Sequence, residues 1–206
     1  IKYNFKGFTF IINKNGRVSY LKSLFGNNLF RFIIDLFRLN INQYDLIISD
    51  FEPISAWASK IKGKPSLQLS HQSSLFSKKS PRPKNVDRLA EFFIKWYSPC
   101  DRYIGFHFKN YDSNIYGPLL RDKIINASPQ INDYYVVYLW NYSSEYIVSV
   151  LSQLQDYKFK VFDSQANKQY VIENCEIIPT GDEVFFNAIL NCKGVICGAG
   201  FELPAE

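Results

Sequence analysis

The 206-residue sequence contains no methionine, two histidines and four cysteines. The cysteines are Cys100, Cys175, Cys192 and Cys197. They are widely spaced and form neither a Cys-x-x-Cys pair nor a Cys/His ligand pattern, which predicts reduced thiols and a cytoplasmic protein. No apolar run is long enough to span a bilayer. Because methionine is absent and the sequence stops where a helix starts, we expect the chain to be incomplete.

Charge of either sign is also limited. The net charge is +5 at pH 7 and charged residues make up 21% of the chain, as in an ordinary globular protein. Basic residues are scattered without an aromatic–basic recognition motif, which argues against a nucleic-acid partner. The segment 73–85 carries Lys78, Lys79, Arg82 and Lys84. We interpret it as a solvated flexible loop, with an acceptor-side lid or contact with an anionic membrane surface as alternatives.

What the sequence does contain is an alternation of short apolar runs and amphipathic stretches. Strands are predicted at 8–12, 44–49, 66–70, 101–106, 134–139, 159–162, 170–172, 175–178 and 195–197. Helices are predicted at 21–39, 54–62, 86–96, 144–154 and 183–191. This alternation predicts an α/β fold with parallel sheets.

The alternation is interrupted once, by the polar segment 126–133, which contains Pro129 and predicts an interdomain linker. The sequence thus predicts an N-terminal domain at 1–125 and a C-terminal domain at 134–206. The aromatic residues of the helix 21–39 recur at helical spacing, and we interpret them as core residues.

Three polar side chains follow predicted strands of the N-terminal half. Asp50 and Glu52 come after the strand 44–49, and His71 comes after the strand 66–70. Ligands of open α/β sheets bind beyond the carboxyl ends of the strands, and these residue types act as bases or hydrogen-bond partners of hydroxyl groups. The alternatives are that Asp50 or Glu52 caps the helix that Pro53 opens, and that His71 is structural.

The last stretch of the chain has the pattern of an anion site. Val195-Ile-Cys197 predicts a buried strand, Gly198-Ala-Gly200 a tight turn, and Phe201 to Glu206 a helix start. Free N–H groups and the positive end of the helix dipole favour a phosphate at such a turn. Glu206, one turn into the helix, is a candidate acceptor for ribose hydroxyls. A third glycine is missing, so the alternative to an anion site is that Gly198 and Gly200 serve only the packing of the turn.

The segment Cys197–Glu206 resembles the donor-site turn of GT-B glycosyltransferases, in particular a bacterial and archaeal family related to the MurG-type and glucuronosyltransferase-like enzymes. Tyr44–Pro53, Leu69–Gln72 and Gly117–Arg121 are similar to segments of the same family and occur in the same order. The resemblance implies two Rossmann-like parallel-sheet domains that face a cleft, of which the second is truncated here.

The resemblance also implies an activity and its residues. The expected reaction is an inverting, metal-independent sugar transfer of the hexosyltransferase type, from a nucleotide-diphosphate sugar to an unidentified acceptor, without any other cofactor. The donor would be bound by the turn of Gly198, Gly200, Phe201 and Glu202, by Glu206, and by Trp140 and Asn141. Asp50, Glu52 and His71 are candidate bases, although related enzymes often carry the base in a segment that we expect before Ile1. A nucleotide-sugar epimerase or hydrolase of the same fold, and a non-catalytic module that binds a saccharide or a protein, are the alternatives.

Overall fold

The structure, a computed structural model, describes residues 4–11 and 19–206. The end of the predicted strand 8–12 lies outside these ranges, and residues 8–11 are not in a strand. The chain forms two compact units, Ile1–Pro118 and Leu119–Glu206. This division falls earlier than the boundary predicted at residue 125, because the short helix Asp122–Ile125 belongs to the second unit.

The first unit combines a parallel sheet with helices. Its strands follow one another in the sheet in chain order: β1 (Ile47–Ser49), β2 (Ser66–Ser70), β3 (Arg102–Phe106) and β4 (Ile115–Tyr116). Its helices are α1 (Tyr20–Gly26), α2 (Leu29–Arg38), α3 (Pro53–Ile61) and α4 (Arg88–Tyr97), with a 3₁₀ helix at Gln72–Phe76. The core that joins α2 and α3 to β1 consists of Leu36, Leu39, Ile41, Ile47, Ile54 and Ala58.

The helix predicted at 21–39 is two helices, and of its aromatic residues Phe32 packs against the core whereas Phe30 and Phe37 do not. The break falls at Asn27 and Asn28, because the Asn28 side chain accepts the N–H of Arg31 and caps α2, as asparagine commonly does. Phe30 and Phe37 are 76% and 63% exposed. The interpretation of the aromatic residues as core is therefore wrong for Phe30 and Phe37.

The basic segment 73–85 is partly anchored. It begins in the 3₁₀ helix, and the Arg82 guanidinium donates to the carbonyl oxygens of Leu75 and Ser80 and to Glu91. Lys79 forms an ion pair with Asp112 at 2.9 Å. Lys78 and Lys84 have no ion-pair partner within residues 4–11 and 19–206. The contacts of Lys79 and Arg82 hold this part of the segment in place. The interpretation of the segment as a flexible loop is therefore wrong for this part.

The Asp112 contact leads to a pH prediction. Hydrogen bonds from the Lys79 ammonium, the Ser77 hydroxyl and the Ser113 N–H lower the pKa of Asp112 to about 2. A lowered folded-state pKa means that the stabilisation is present above the ordinary aspartate value of about 4 and is lost as the pH falls toward 2. We expect a carboxyl ¹³C titration midpoint near 2 in the wild type and a clearly higher midpoint in Lys79→Gln. Equal midpoints in the two proteins would contradict the assignment.

The second unit contains a five-stranded sheet with the order β7-β8-β6-β5-β9. The strands are β5 (Tyr135–Tyr138), β6 (Phe159–Asp163), β7 (Tyr170–Ile172), β8 (Cys175–Pro179) and β9 (Gly194–Cys197). All pairs are parallel except β7 with β8. The helices are α5 (Asp122–Ile125), α6 (Ser144–Leu151), α7 (Asp182–Leu190) and α8 (Glu202–Ala205).

The central strands of this sheet are buried on both faces, which explains their continuous apolar runs. Val137 and Val161 pack with Ile147 of α6, whereas Val136 and Phe162 pack with Ala188 of α7. The α/β fold with parallel sheets predicted from the sequence is thus confirmed.

One prediction about this sheet needs correction. The strand β9 is at the sheet edge rather than buried, since it pairs only with β5 among the described residues. Its side chains Val195 and Ile196 are 39% and 37% exposed. In the described ranges, no helix has the length and apolarity needed to cross a bilayer.

Candidate functional site

The strand order of the second unit reverses at β5. From β5 the chain proceeds to β6 and β8 on one side, and it later returns to β9 on the other side. All of these strands are parallel, so the residues after β5, β6 and β9 lie along one edge of the sheet. Open α/β proteins bind ligands at such a reversal, in the crevice beyond the carboxyl ends of the strands. Trp140 and Asn141 follow β5, and Gly198 and Gly200 follow β9.

A cavity of about 350 Å³ lies on the β6 side of this reversal. The loop after β5, the start of α6 and the end of β6 line it, with Trp140 and Asn141 among the lining residues. Trp140 is 69% exposed, and the ring of Tyr142 stacks on Tyr146 with centroids 5.5 Å apart. Two predicted donor-site residues, Trp140 and Asn141, therefore line one cavity together with Tyr142.

The polar groups of the cavity are fixed by the local structure. The Asp163 carboxylate accepts the Ser144 hydroxyl and the backbone N–H of Gln165, and Ser143 caps α6. Hydrogen bonds from its own backbone N–H and from Ser143 lower the pKa of Glu145. Among the described lining residues there is no lysine or arginine. Two carboxylates without a cation suit hydroxyl groups better than phosphates.

The glycine turn after β9 does not line this cavity; it lies on the other side of β5. A Cβ atom added at Gly198 or Gly200 would meet no atom of the described chain within 4 Å, and neither residue has a left-handed backbone. Neither close packing nor φ therefore requires glycine at these positions. Open space beside backbone N–H groups is what a diphosphate needs at a strand–helix turn.

Glu206 has a partner that the sequence did not indicate. Its Oε1 forms an ion pair with the Nε of Arg121 at 3.0 Å, and its side chain is mostly buried. The Arg121 guanidinium also lies over the ring of Phe186, 5.9 Å from its centroid. The ion pair fixes the Glu206 side chain, whereas the ribose contact stays a prediction.

The first unit has its own row of polar residues at the carboxyl edge of its sheet. Asp50, His71 and His107 follow β1, β2 and β3, which are neighbouring parallel strands. Asp50 is exposed, and the His107 ring packs edge-on against Tyr111 at 4.9 Å. Asp50 and His71 are thus at one edge, as expected. The sequence patterns above do not single out His107, although it follows its strand just as His71 does.

The turn between β1 and α3 is sharp. Phe51 has a left-handed backbone (φ 47°), which costs a residue with a Cβ of the order of 1 kcal/mol. This turn brings both carboxylate oxygens of Glu52 onto the backbone N–H groups of Ile54 and Ser55, so Glu52 caps α3. Burial, and secondarily the Glu52 carboxylate, raise the pKa of Tyr97.

The capping geometry allows the two roles of Glu52 to be separated. Glu52→Ala should lower the free energy of unfolding by about 1 kcal/mol, because two N–H groups of α3 lose their acceptor. Glu52→Asn should largely retain stability, since asparagine is a good cap. Denaturant unfolding measures both values. If stable Glu52→Asn lost sugar transfer, Glu52 would be catalytic as well as structural; equal stability of the two variants would contradict the capping role.

These features define the class of the protein. It is an α/β protein of two Rossmann-like parallel-sheet units, and the strand order of the second unit reverses, as it does where open α/β proteins bind ligands. The family model of glycosyl transferase family 1 matches residues 3–206. The chain belongs to glycosyl transferase family 1 and is a glycosyltransferase, which confirms the GT-B resemblance. No curated protein and no solved structure gives a significant match.

Proposed function

We propose that the chain transfers a sugar from a nucleotide-diphosphate sugar to an acceptor hydroxyl, with inversion and without a metal, in the cytoplasm. The acceptor class is a saccharide, a lipid-linked molecule or a small molecule. The observation that carries this proposal is the glycine turn, which is open beside Gly198 and Gly200 and follows the strand at which the sheet order reverses. The family assignment supports glycosyl transfer in general.

Different parts of the donor bind on the two sides of β5. The diphosphate binds to backbone N–H groups from Gly198 to Glu202, where no side chain obstructs the turn. The nucleoside or sugar hydroxyls bind in the cavity, where Asp163 and Glu145 are acceptors and the ring of Trp140 offers a stacking surface. Glu206, held by Arg121, accepts a ribose hydroxyl. This arrangement separates like charges, because Asp163 and Glu145 lie on one side of β5 and the phosphates bind on the other side.

The reaction needs a base and a stabilised leaving group. Asp50 or His71 accepts the proton of the acceptor hydroxyl, whose oxygen then forms a bond to the anomeric carbon from the face opposite the leaving group. The bond from that carbon to the diphosphate oxygen breaks, and the electron pair leaves with the nucleoside diphosphate. Backbone N–H groups at the glycine turn stabilise the charge that develops on this oxygen. Near-normal transfer after replacement of Asp50 or His71 by alanine would remove that residue as the base.

Calorimetric titration with UDP-, GDP- and dTDP-sugars, and with CMP-sugars as the single-phosphate comparison, tests the donor site. We expect one nucleotide class to bind, and Glu206→Ala to weaken its binding by about tenfold or more through the lost ribose hydrogen bond. Arg121→Gln is the matched control, since it breaks the same ion pair but retains the carboxylate. If no nucleotide sugar binds, the proposal is wrong. A product of free or epimerised sugar without transfer would favour a hydrolase or an epimerase.

A further inference from the structure

The start of α6 carries two tyrosines that the core of the second unit does not use. The core side of this helix consists of Ile147, Val148 and Leu151. Tyr142, just before the helix, and Tyr146, in its first turn, are 55% and 58% exposed. Aromatic side chains that are exposed together mark a binding surface, because each leaves a large apolar face in water.

The two rings form one platform, which we call the tyrosine platform. Their centroids are 5.5 Å apart and their planes differ by 17°, so the rings stack. Local hydrogen bonds set this geometry: the Tyr142 N–H donates to the Leu139 carbonyl oxygen, and the Ser143 hydroxyl accepts the N–H of Tyr146. A side-chain pair four residues apart stabilises a helix only slightly, so helix stability does not explain two exposed rings.

The polar ends of both rings are available to a ligand. In the part of the chain that the structure describes, the hydroxyl groups of Tyr142 and Tyr146 have no hydrogen-bond partner. By contrast, the partly buried Tyr97 and Tyr134 donate their hydroxyl groups to backbone carbonyl oxygens. The platform therefore combines apolar ring faces with two hydroxyl groups that a ligand can use.

The platform continues the cavity that follows β5 and β6. Tyr142 lines this cavity, whereas Tyr146 lies outside it, one helical turn further along the chain. The carboxylates of Glu145 and Asp163 belong to the same cavity. A ligand that lies on Tyr146 and extends over Tyr142 therefore reaches the place where the donor is proposed to bind.

The charges around the platform favour a neutral ligand. The described residues that line the cavity include two carboxylates and no lysine or arginine. Over residues 119–206 the sequence has 11 Asp and Glu against 6 Lys and Arg. Carboxylates repel phosphate, sulfate and uronate groups, but they accept hydrogen bonds from hydroxyl groups.

A hexose ring fits these features together. One face of the ring consists of C–H groups that pack on an aromatic ring, and the hydroxyl groups at its edge bond to carboxylates and phenols. A lipid chain would leave the polar groups without a role. A protein partner needs about 800 Å² on each side, whereas two tyrosine rings offer at most about 400 Å².

We propose that the tyrosine platform binds a hexose ring of a neutral oligosaccharide, and that this oligosaccharide is the acceptor. The proposal names the acceptor class within the proposed function and rests on it, although the binding of the saccharide itself requires no donor. The hydroxyl group that attacks the anomeric carbon then belongs to a sugar of this oligosaccharide. Its proton goes to the base, and the nucleoside diphosphate leaves with the electron pair of the broken bond.

Calorimetric titration of the full chain with neutral hexasaccharides, in the absence of nucleotide, tests this binding. The probes are four hexasaccharides built of glucose, N-acetylglucosamine, mannose or galactose, and a hyaluronan hexasaccharide is the anionic comparison. We expect at least one neutral probe to bind with an affinity that salt does not change, and the hyaluronan probe not to bind. Saturation-transfer NMR should show the strongest transfer to the C–H protons of one ring face.

The variant Tyr146→Ala should weaken the binding of that hexasaccharide by about fivefold or more, because one ring face is lost. The fold should persist, since Tyr146 is exposed and alanine favours helices. Tyr146→Phe retains the ring and should retain most of the affinity. Tyr157→Ala removes another exposed tyrosine of the same unit (44%), which precedes β6 and so lies at the opposite edge of the sheet. It should bind like the wild type.

The proposal is overturned if none of the four neutral probes binds, or if Tyr146→Ala binds its probe as the wild type does. An equal loss in Tyr157→Ala would also overturn it. A probe that binds at Tyr146 but receives no sugar, although another acceptor does, would overturn the acceptor role. Titration with nucleotide sugars separates this proposal from the proposed function. Saccharide binding that Tyr146→Ala weakens, in a protein that binds no nucleotide sugar, would support the platform and contradict the proposed function.

Discussion

Gly200→Val is expected to lower donor affinity and sugar transfer by at least about 100-fold while the protein remains folded. No described atom lies within 4 Å of a Cβ at Gly200, and the backbone there is not left-handed, so the fold accommodates a side chain. A valine would instead occupy the open space beside the turn, where the proposed diphosphate approaches the backbone N–H groups. Displacement of the phosphate by about 1 Å is enough for a rate loss of this size.

Gly181→Val is the matched control for this prediction. Gly181 lies in the same unit, precedes α7 with an extended backbone (φ −157°), and is equally open around its Cβ position. We expect its transfer rate and donor affinity to equal those of the wild type, with similar thermal unfolding of both variants. Normal activity of Gly200→Val, or an equal loss in Gly181→Val, would contradict the assignment of the diphosphate to the glycine turn.

Gly105→Ala is expected to lower the free energy of unfolding by about 1–3 kcal/mol, the usual cost of overpacking a tight site. A Cβ at Gly105 would be 2.6 Å from the backbone N of Ser74 and 2.7 Å from its Cα. These are backbone atoms of the 3₁₀ helix, which cannot rotate away as a flexible side chain could. The new methyl group must therefore push the 3₁₀ helix off β3, and it displaces the adjoining His71 with it.

Gly117→Ala is the control in the same unit, since a Cβ there meets nothing within 4 Å in the described chain. We expect its unfolding free energy to be within about 0.5 kcal/mol of the wild type. Denaturant unfolding gives both values, and a transfer assay reports the effect on His71. If Gly105→Ala were as stable as Gly117→Ala, the close approach of the 3₁₀ helix to β3 would be refuted.

Local patterns in the sequence predict much of the fold. The strand predicted at 66–70 is β2, with the same bounds. The strand predicted at 44–49 ends at Ser49, which is also the last residue of β1. The buried side chains of β2 are polar, however: Ser66, Gln68 and Ser70. Its bounds are predicted from the alternation with Leu67 and Leu69 and from the turn that precedes it. Because β1 and β2 are parallel, these bounds are enough to assign Asp50 and His71 to one sheet edge.

Other features depend on pairing between distant parts of the chain, which a local pattern does not contain. The reversal of strand order arises because β9 pairs with β5 rather than with β8. The Glu206 partner, Arg121, is likewise remote in sequence. Asp163 is an exception, because it directly follows an apolar run, as Asp50 does, and this signal is sufficient to select it.

The helices α1 and α2 show a further limit of sequence patterns. Periodicity identifies an amphipathic helix, but it does not tell which side faces the protein. Here the bond from the Ile11 N–H to the Ser23 hydroxyl fixes the side of α1 that faces the protein, and the packing of Leu36 in the core fixes that of α2. Helical spacing alone therefore predicts aromatic core residues, whereas Phe30 and Phe37 form the exposed surface.

The most direct test of the proposed donor site is the fluorescence of Trp140 during titration with nucleoside diphosphates. The chain has three tryptophans, so the variant Trp57→Phe/Trp96→Phe leaves Trp140 as the single emitter, exposed beside the cavity. We predict a saturable change in its emission with one nucleotide class, and no change when Gly200→Val is added. Nucleotide binding that leaves Trp140 emission unchanged, or the absence of any binding, would contradict a donor site at the strand-order reversal.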